Sequence, residues 1–170
     1  MRFFTPALSS ANRLRAGYAF LFLLSACSAA GPKFHDTPFA FQQAPDDKAR
    51  IIFLRGSDVD FRSATVAVDG AIIGALGQRG FIVTDVEPGD HGISAWVRYV
   101  PLGEYAITMT TKAGETHYIK VSQRFERITY PLLGPLGTTL FFLDRKGEFQ
   151  LETLAASRAL KELGELKLSE

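Results

Sequence analysis

A single cysteine, Cys27, occurs in the 170 residues, so the chain can close no internal disulfide and assemble no multi-thiolate metal site. An excess of charge of one sign is also missing, with 19 Lys and Arg against 18 Asp and Glu. Nucleic-acid binding needs Lys and Arg gathered on one face, and no such cluster stands in the sequence, so no nucleic-acid partner is expected. The uncharged apolar run Ala16 to Leu24 has only nine residues. At a rise of about 1.5 Å per residue it covers less than half of a hydrocarbon core, too little for a permanent spanning helix.

What surrounds that run is informative. Arg2, Arg13 and Arg15 precede it without an acidic residue, and the small residues Ser25, Ala26 and Cys27 follow. Basic, apolar and small segments in that order form a secretory signal, here residues 1–26. Leu24-Ser25-Ala26-Cys27 resembles the lipobox of lipoprotein precursors at all four positions. The resemblance implies a diacylglyceryl thioether on Cys27, cleavage before it, and a further acyl chain on the freed amine. Each buried methylene contributes about 0.8 kcal/mol, and two or more chains hold firmly where one is marginal. A membrane partner is therefore expected through the lipid on Cys27 alone. Ser28, standing where Asp is absent, implies by the same resemblance an outer-membrane location facing the periplasm.

Without residues 1–26 the chain keeps 144 residues, 16 of them basic and 18 acidic. That length suits one core rather than two domains. Residues 27–47 contain Pro32, Pro38, Pro45 and Gly31 without apolar alternation, and read as the lipidated Cys followed by a flexible tether. Phe34, Phe39 and Phe41 are unusual in a linker and suggest that part of it lies against the domain or the bilayer surface.

From residue 48 to 168 short apolar runs alternate with turn signals at a period near two, the mark of strands. Ala49 to Arg55 is the first. Thr65 to Val68 and Ala71 to Ala75 flank Asp69-Gly70, a two-residue turn of the kind that type I′ hairpins require. Phe81 to Val86 is followed by Glu87-Pro88-Gly89-Asp90, which fits a type II turn. Between Gly92 and Tyr99, Ile93, Ala95, Val97 and Tyr99 share one face, and Ser94, Trp96 and Arg98 the other. Tyr105 to Thr110 and Thr116 to Val121 suggest a hairpin across Lys112 to Glu115. Tyr130 to Gly137 is apolar yet rich in Pro and Gly, hence an irregular loop, with Thr138 to Leu143 and Glu148 to Leu151 as closing strands. Leu154 to Leu168 has helix-forming residues, with Ala156, Leu160 and Leu163 on one face and Gly164 weakening the end. The expected class is mainly β: an immunoglobulin-like or transthyretin-like β-sandwich of seven to eight short strands with a C-terminal helix. A small barrel is the alternative.

Ala49 to Arg55, Val68-Asp69-Gly70, Gly80-Phe81, Val86 to His91 and Ala113 to Tyr118 together resemble the bacterial lipoprotein domain known as domain-of-unknown-function family 2846. The likeness to PEGA-type sandwich repeats is looser. It covers about residues 48–166 and implies fold rather than chemistry, bringing no catalytic residues. The chain departs from that pattern at Tyr130 to Gly137 and at Gly56-Ser57.

Chemistry is sparse. Three histidines, His35, His91 and His117, are too few and too scattered to define a metal site, which needs three or four converging ligands. No nucleophile elbow occurs. Asp85, Glu87 and Asp90 supply paired carboxylates, but at a turn where exposed acids are ordinary. No cofactor, metal or catalytic residue is expected. The expected function is a membrane-anchored, non-catalytic envelope lipoprotein acting as a structural or protein-interaction module. Its rival is a glycan- or peptide-binding module on an exposed Trp96 face with Arg98 and Tyr99. Leu132, Leu133 and Leu136 in the apolar loop form either a patch that meets an envelope partner or a membrane, or a cap on the sandwich.

Overall fold

The computed structural model describes residues 28–169, so the signal segment and the lipobox residues Leu24, Ser25, Ala26 and Cys27 lie outside the described residues. The first strand, β1 (Ala49–Arg55), is buried at every position. A continuous Ile-Ile-Phe-Leu run does this because β1 sits inside a sheet covered on both faces. It pairs antiparallel with β4 (Gly80–Val86) and parallel with β7 (Thr116–Gln123). With β8 (Phe149–Leu154) and the two-residue β9 (Lys167–Leu168) these form a five-stranded sheet in the order β8-β7-β1-β4-β9. The facing sheet has the order β3-β2-β5-β6, from β2 (Ala64–Val68), β3 (Ala71–Leu76), β5 (Gly89–Trp96) and β6 (Tyr105–Thr111).

This is a two-sheet β-sandwich with a C-terminal helix. In an immunoglobulin domain the first, second, fourth and fifth strands share a sheet. Here β2 and β5 lie opposite β1 and β4. Of the two sandwich types expected, the transthyretin-like one is left.

Strand alternation divides the burial between two cores. Ile51, Phe53, Val66, Ile93, Ile119 and Phe149 meet between the sheets. Ile52, Leu54 and Phe81 point the other way and meet Ala159 and Leu163. The C-terminal helix covers that outer face, spanning Ala156–Leu163 and ending at Gly164. It is shorter than expected and uses a different face: Ala159 and Leu163 are buried, whereas Leu160 is exposed. Leu154, expected in the helix, closes β8.

The hairpin at Asp69-Gly70 forms as read, both residues taking positive φ, +51° and +79°. The expected pairing of β6 with β7 does not. β6 joins β5, β7 joins β1 and β8, and Lys112 to Glu115 arches between sheets. Tyr99 does not continue the β5 alternation either; the strand ends at Trp96, and Tyr99 is exposed with φ +65°.

The region after β7 is helical. The label α1 denotes Phe125–Thr129 and α2 Gly134–Leu143, joined by a 3-10 turn at Tyr130–Leu133; the C-terminal helix becomes α3. Thr138 to Leu143, expected as a strand, therefore lies in α2. Pro135 near its N-terminus suits a first turn, where the missing N–H costs nothing. Two buried arginines hold the insertion. Arg127 donates to the carbonyls of Phe141 at 2.6 Å, Gly147 at 3.2 Å and Asp144, and its guanidinium lies 4.6 Å from the Phe141 ring centre. Arg124 bridges Asp144 at 2.9 Å.

Residues 28–47, expected as a tether with part of it against the domain, pack on the domain through Ala29, Phe34, Thr37 and Ala44, whereas Phe41 is exposed. The Ser28 hydroxyl donates to the Gln78 carbonyl at 3.3 Å, and the Ala29 amide donates to the same oxygen at 3.1 Å. Phe34 is buried in the outer core. Further along, Arg50 forks onto Asp85 at 2.8 and 3.0 Å and donates to the carbonyls of Gln42 and Gln43.

Candidate functional site

Trp96 stands at the end of β5 beside Thr65 of β2 and is half-buried. Its expected companions do not join it on a flat strand face. The chain leaves the strand after Trp96, and the Arg98 guanidinium stacks 5.0 Å from the Tyr99 ring centre instead. Both residues are exposed.

Leu132, Leu133 and Leu136 are 82%, 54% and 66% exposed, so they do not cap the sandwich core. They are joined in the insertion by exposed Phe125, Phe142 and Leu143. Beside the insertion lies a cleft of about 510 Å³ lined by Val100, Pro101, Leu102, Phe141 and Phe142, with Arg62 and Glu148 also lining it. The insertion is tied to the loop between β5 and β6: the Gly147 amide donates to the Leu102 carbonyl at 3.1 Å, and Arg145 to the Pro101 carbonyl at 3.0 Å.

The titratable groups raised by the sequence are engaged elsewhere. His91 Nδ1 lies 2.7 Å from the Asp69 carboxylate, and Nε2 lies 2.7 Å from the Glu87 carbonyl. Both partners are acceptors, so both ring nitrogens act as donors and the imidazolium is favoured. The hydrogen bond to Asp69 accordingly raises the His91 pKa above 6.5, against the opposing effect of burial. Asp69 falls below its ordinary range through His91 and the Gly92 amide. No lone pair on His91 is left for a metal in this arrangement. Asp85 is held by Arg50, Glu87 by Lys48 at 2.9 Å, and Asp90 by the Thr110 hydroxyl at 2.5 Å, three separate contacts rather than a catalytic pair. His117 lies 3.2 Å from Glu115, its neighbour across one residue. Among the described residues no group of three or more metal-type side chains converges.

The polar cluster that sequence reading missed surrounds Arg55, whose side chain is fully buried. Its Nε and one terminal nitrogen fork onto Asp58 at 3.0 and 2.6 Å. The terminal nitrogens also donate to the carbonyls of Arg62 and Asp60, each at 2.6 Å, and of Leu76 at 3.3 Å. All five N–H donors of the guanidinium are thereby used. Phe149 covers the group at 4.7 Å. A charged residue closing an otherwise apolar strand was the available signal. Next to it, Asp60 is held low: burial opposes its charge, but Arg62 binds both carboxylate oxygens. These contacts organise the loop after β1.

No protein-family model matches the chain, and no curated protein is similar to it.

Proposed function

We propose that the protein is a membrane-anchored, non-catalytic envelope lipoprotein, held by lipid on Cys27 in the outer membrane and facing the periplasm, that acts as a structural or protein-interaction module. The observation that carries this reading is Leu24-Ser25-Ala26-Cys27 placed directly after a basic and apolar signal. Three features support the non-catalytic part. His91, Asp85 and Asp90 are committed to structural contacts. The buried arginines hold loops together. The insertion exposes apolar side chains at Leu132, Leu136 and Phe142, suited to contact rather than to reaction. The glycan- or peptide-binding alternative on Trp96 has weaker support, because Arg98 and Tyr99 stack on each other beyond the strand end.

The test is metabolic labelling with palmitate and detergent phase partition. The parent chain takes the label and enters the detergent phase, and Cys27→Ser does neither. A parent that incorporates no lipid and stays in the aqueous phase refutes the reading.

A further inference from the structure

The path of the chain puts Ser28, the residue after Cys27, and the apolar insertion at one end of the sandwich. Arg55, the last residue of β1, pairs with Gly80, the first of β4. Ser28 bridges Gln78 in the turn just before β4, so the described chain begins at this end. β7 runs parallel to β1 and extends past it, Lys120 being level with Leu54, so the insertion after Gln123 leaves from the same end. β7 and β4 lie two strands apart across β1, about 10 Å at a spacing of roughly 4.8 Å.

Other loops at this end also expose apolar side chains. Val59 and Phe61, in the loop after β1, are 66% and 71% exposed, and Tyr99, after β5, is 89% exposed. With Leu132, Leu133, Leu136, Phe142 and Leu143 of the insertion they gather most of the exposed large apolar side chains at one pole. At the opposite pole the β2–β3 hairpin turns on Asp69-Gly70 and is bound by polar contacts. Soluble surfaces seldom leave this many large apolar side chains bare together. What covers it follows from where the chain starts. Cys27 precedes Ser28 by one residue, a reach of at most about 3.6 Å, and Ser28 and Ala29 are hydrogen-bonded to Gln78. An acylated Cys27 would hold this pole against the lipid surface, with no free tether between.

We propose that this pole docks on the bilayer that receives the Cys27 lipid, with Leu132, Leu136 and Phe142 sunk into the headgroup and upper acyl region. The proposal rests on the lipoprotein reading. α2 has 10 residues, about 15 Å of helix, too short to span a bilayer. Exposed Arg79, Arg98, Arg145 and Lys146 outnumber exposed Glu104 and Glu126 at the same pole, an excess of positive charge placed to meet anionic headgroups. The domain is thus oriented on the membrane, its β2–β3 hairpin pointing into the aqueous space.

Because Cys27 is the only cysteine, a cysteine introduced elsewhere is the one free thiol of the acylated protein. Leu136→Cys and Leu132→Cys, both at exposed positions, and Ile72→Cys at the opposite pole are labelled with a polarity-sensitive fluorophore. Each acylated protein is reconstituted in phosphatidylethanolamine–phosphatidylglycerol vesicles with or without lipid brominated on the upper acyl carbons. The expected result is blue-shifted emission at positions 136 and 132 that brominated lipid quenches, with neither effect at position 72. Acylated protein with no quenching at 136 and 132, or with equal quenching at all three sites, overturns the docking. Quenching at 136 and 132 that requires an added envelope protein assigns the patch to a protein partner and likewise overturns it. Labelling at two thiols per chain shows Cys27 unacylated and overturns the lipoprotein reading beneath the proposal, a result distinct from failed docking.

Discussion

Phe34 meets Phe81 edge-on, with ring centres 5.3 Å apart and planes at 84°. The contact joins the segment after Ser28 to the start of β4 and makes Phe34 part of the outer core. Phe34→Ala should remove it, since truncating a buried Phe costs about 3 to 5 kcal/mol. Limited proteolysis should then cut within residues 36–47 much faster than in the parent, while the core strands stay protected. Equal cleavage rates would show that the segment's packing adds little.

Arg55→Ala should destabilise the fold strongly. Asp58 loses its cation, and three carbonyls lose their donors, those of Asp60 and Arg62 in the loop after β1 and that of Leu76 at the end of β3. Breaking a buried charge pair costs about 3 to 5 kcal/mol. For a domain of this size the melting temperature should fall by roughly 10 °C, read by circular dichroism.

The His91–Asp69 pair gives a pH dependence of defined sign. The folded pKa of His91 is raised above 6.5, so its contribution to stability is fully present below pH 6.5 and is lost as pH rises through the raised value. Asp69, lowered from 3.8, contributes above that value and loses its effect as pH falls through the lower folded one. The difference in melting temperature between parent and His91→Gln should be largest between those limits and shrink on the alkaline side. An imidazole titration by NMR at or below 6.5 would contradict the geometry.

Gly103 faces the insertion with φ +85°, and a Cβ there would overlap the backbone carbonyl of Arg145. Gly103→Ala should therefore cost about 2 kcal/mol or more and loosen the insertion from the β5–β6 loop. Faster amide hydrogen exchange at Gly147, whose N–H bonds Leu102, would report it.

Leu132→Ser combined with Leu136→Ser should change the melting temperature little, because exposed substitutions usually stay within about 0.5 kcal/mol. A loss of many degrees would mean that these leucines are buried in solution.

Local chemistry made several elements legible. β1 is visible because a bounded run of apolar residues must be covered on both faces, and the β2–β3 hairpin because Asp-Gly tolerates two successive positive φ angles. The C-terminal helix ends at Gly164, a residue that weakens helices. Thr138 to Leu143 misled because a short apolar run rich in β-branched and aromatic residues has no period that separates strand from helix. There, Pro135 and the carbonyl contacts of Arg127 accompany the helix, and the latter come from residues distant in the sequence.

Sequence alone determined the Leu24-Ser25-Ala26-Cys27 run, the alternation that builds strands, and the Asp69-Gly70 turn, because each depends on residues a few positions apart. Only the tertiary structure decided that β6 and β7 part company, that Arg55 has five acceptors, and that Phe34 belongs to the core. It also decided that the apolar loops share a pole with Ser28. Those outcomes depend on which strands become neighbours, and strand pairing is a long-range choice among similar apolar faces. A residue's local pattern states which face it can bury, not what it will meet.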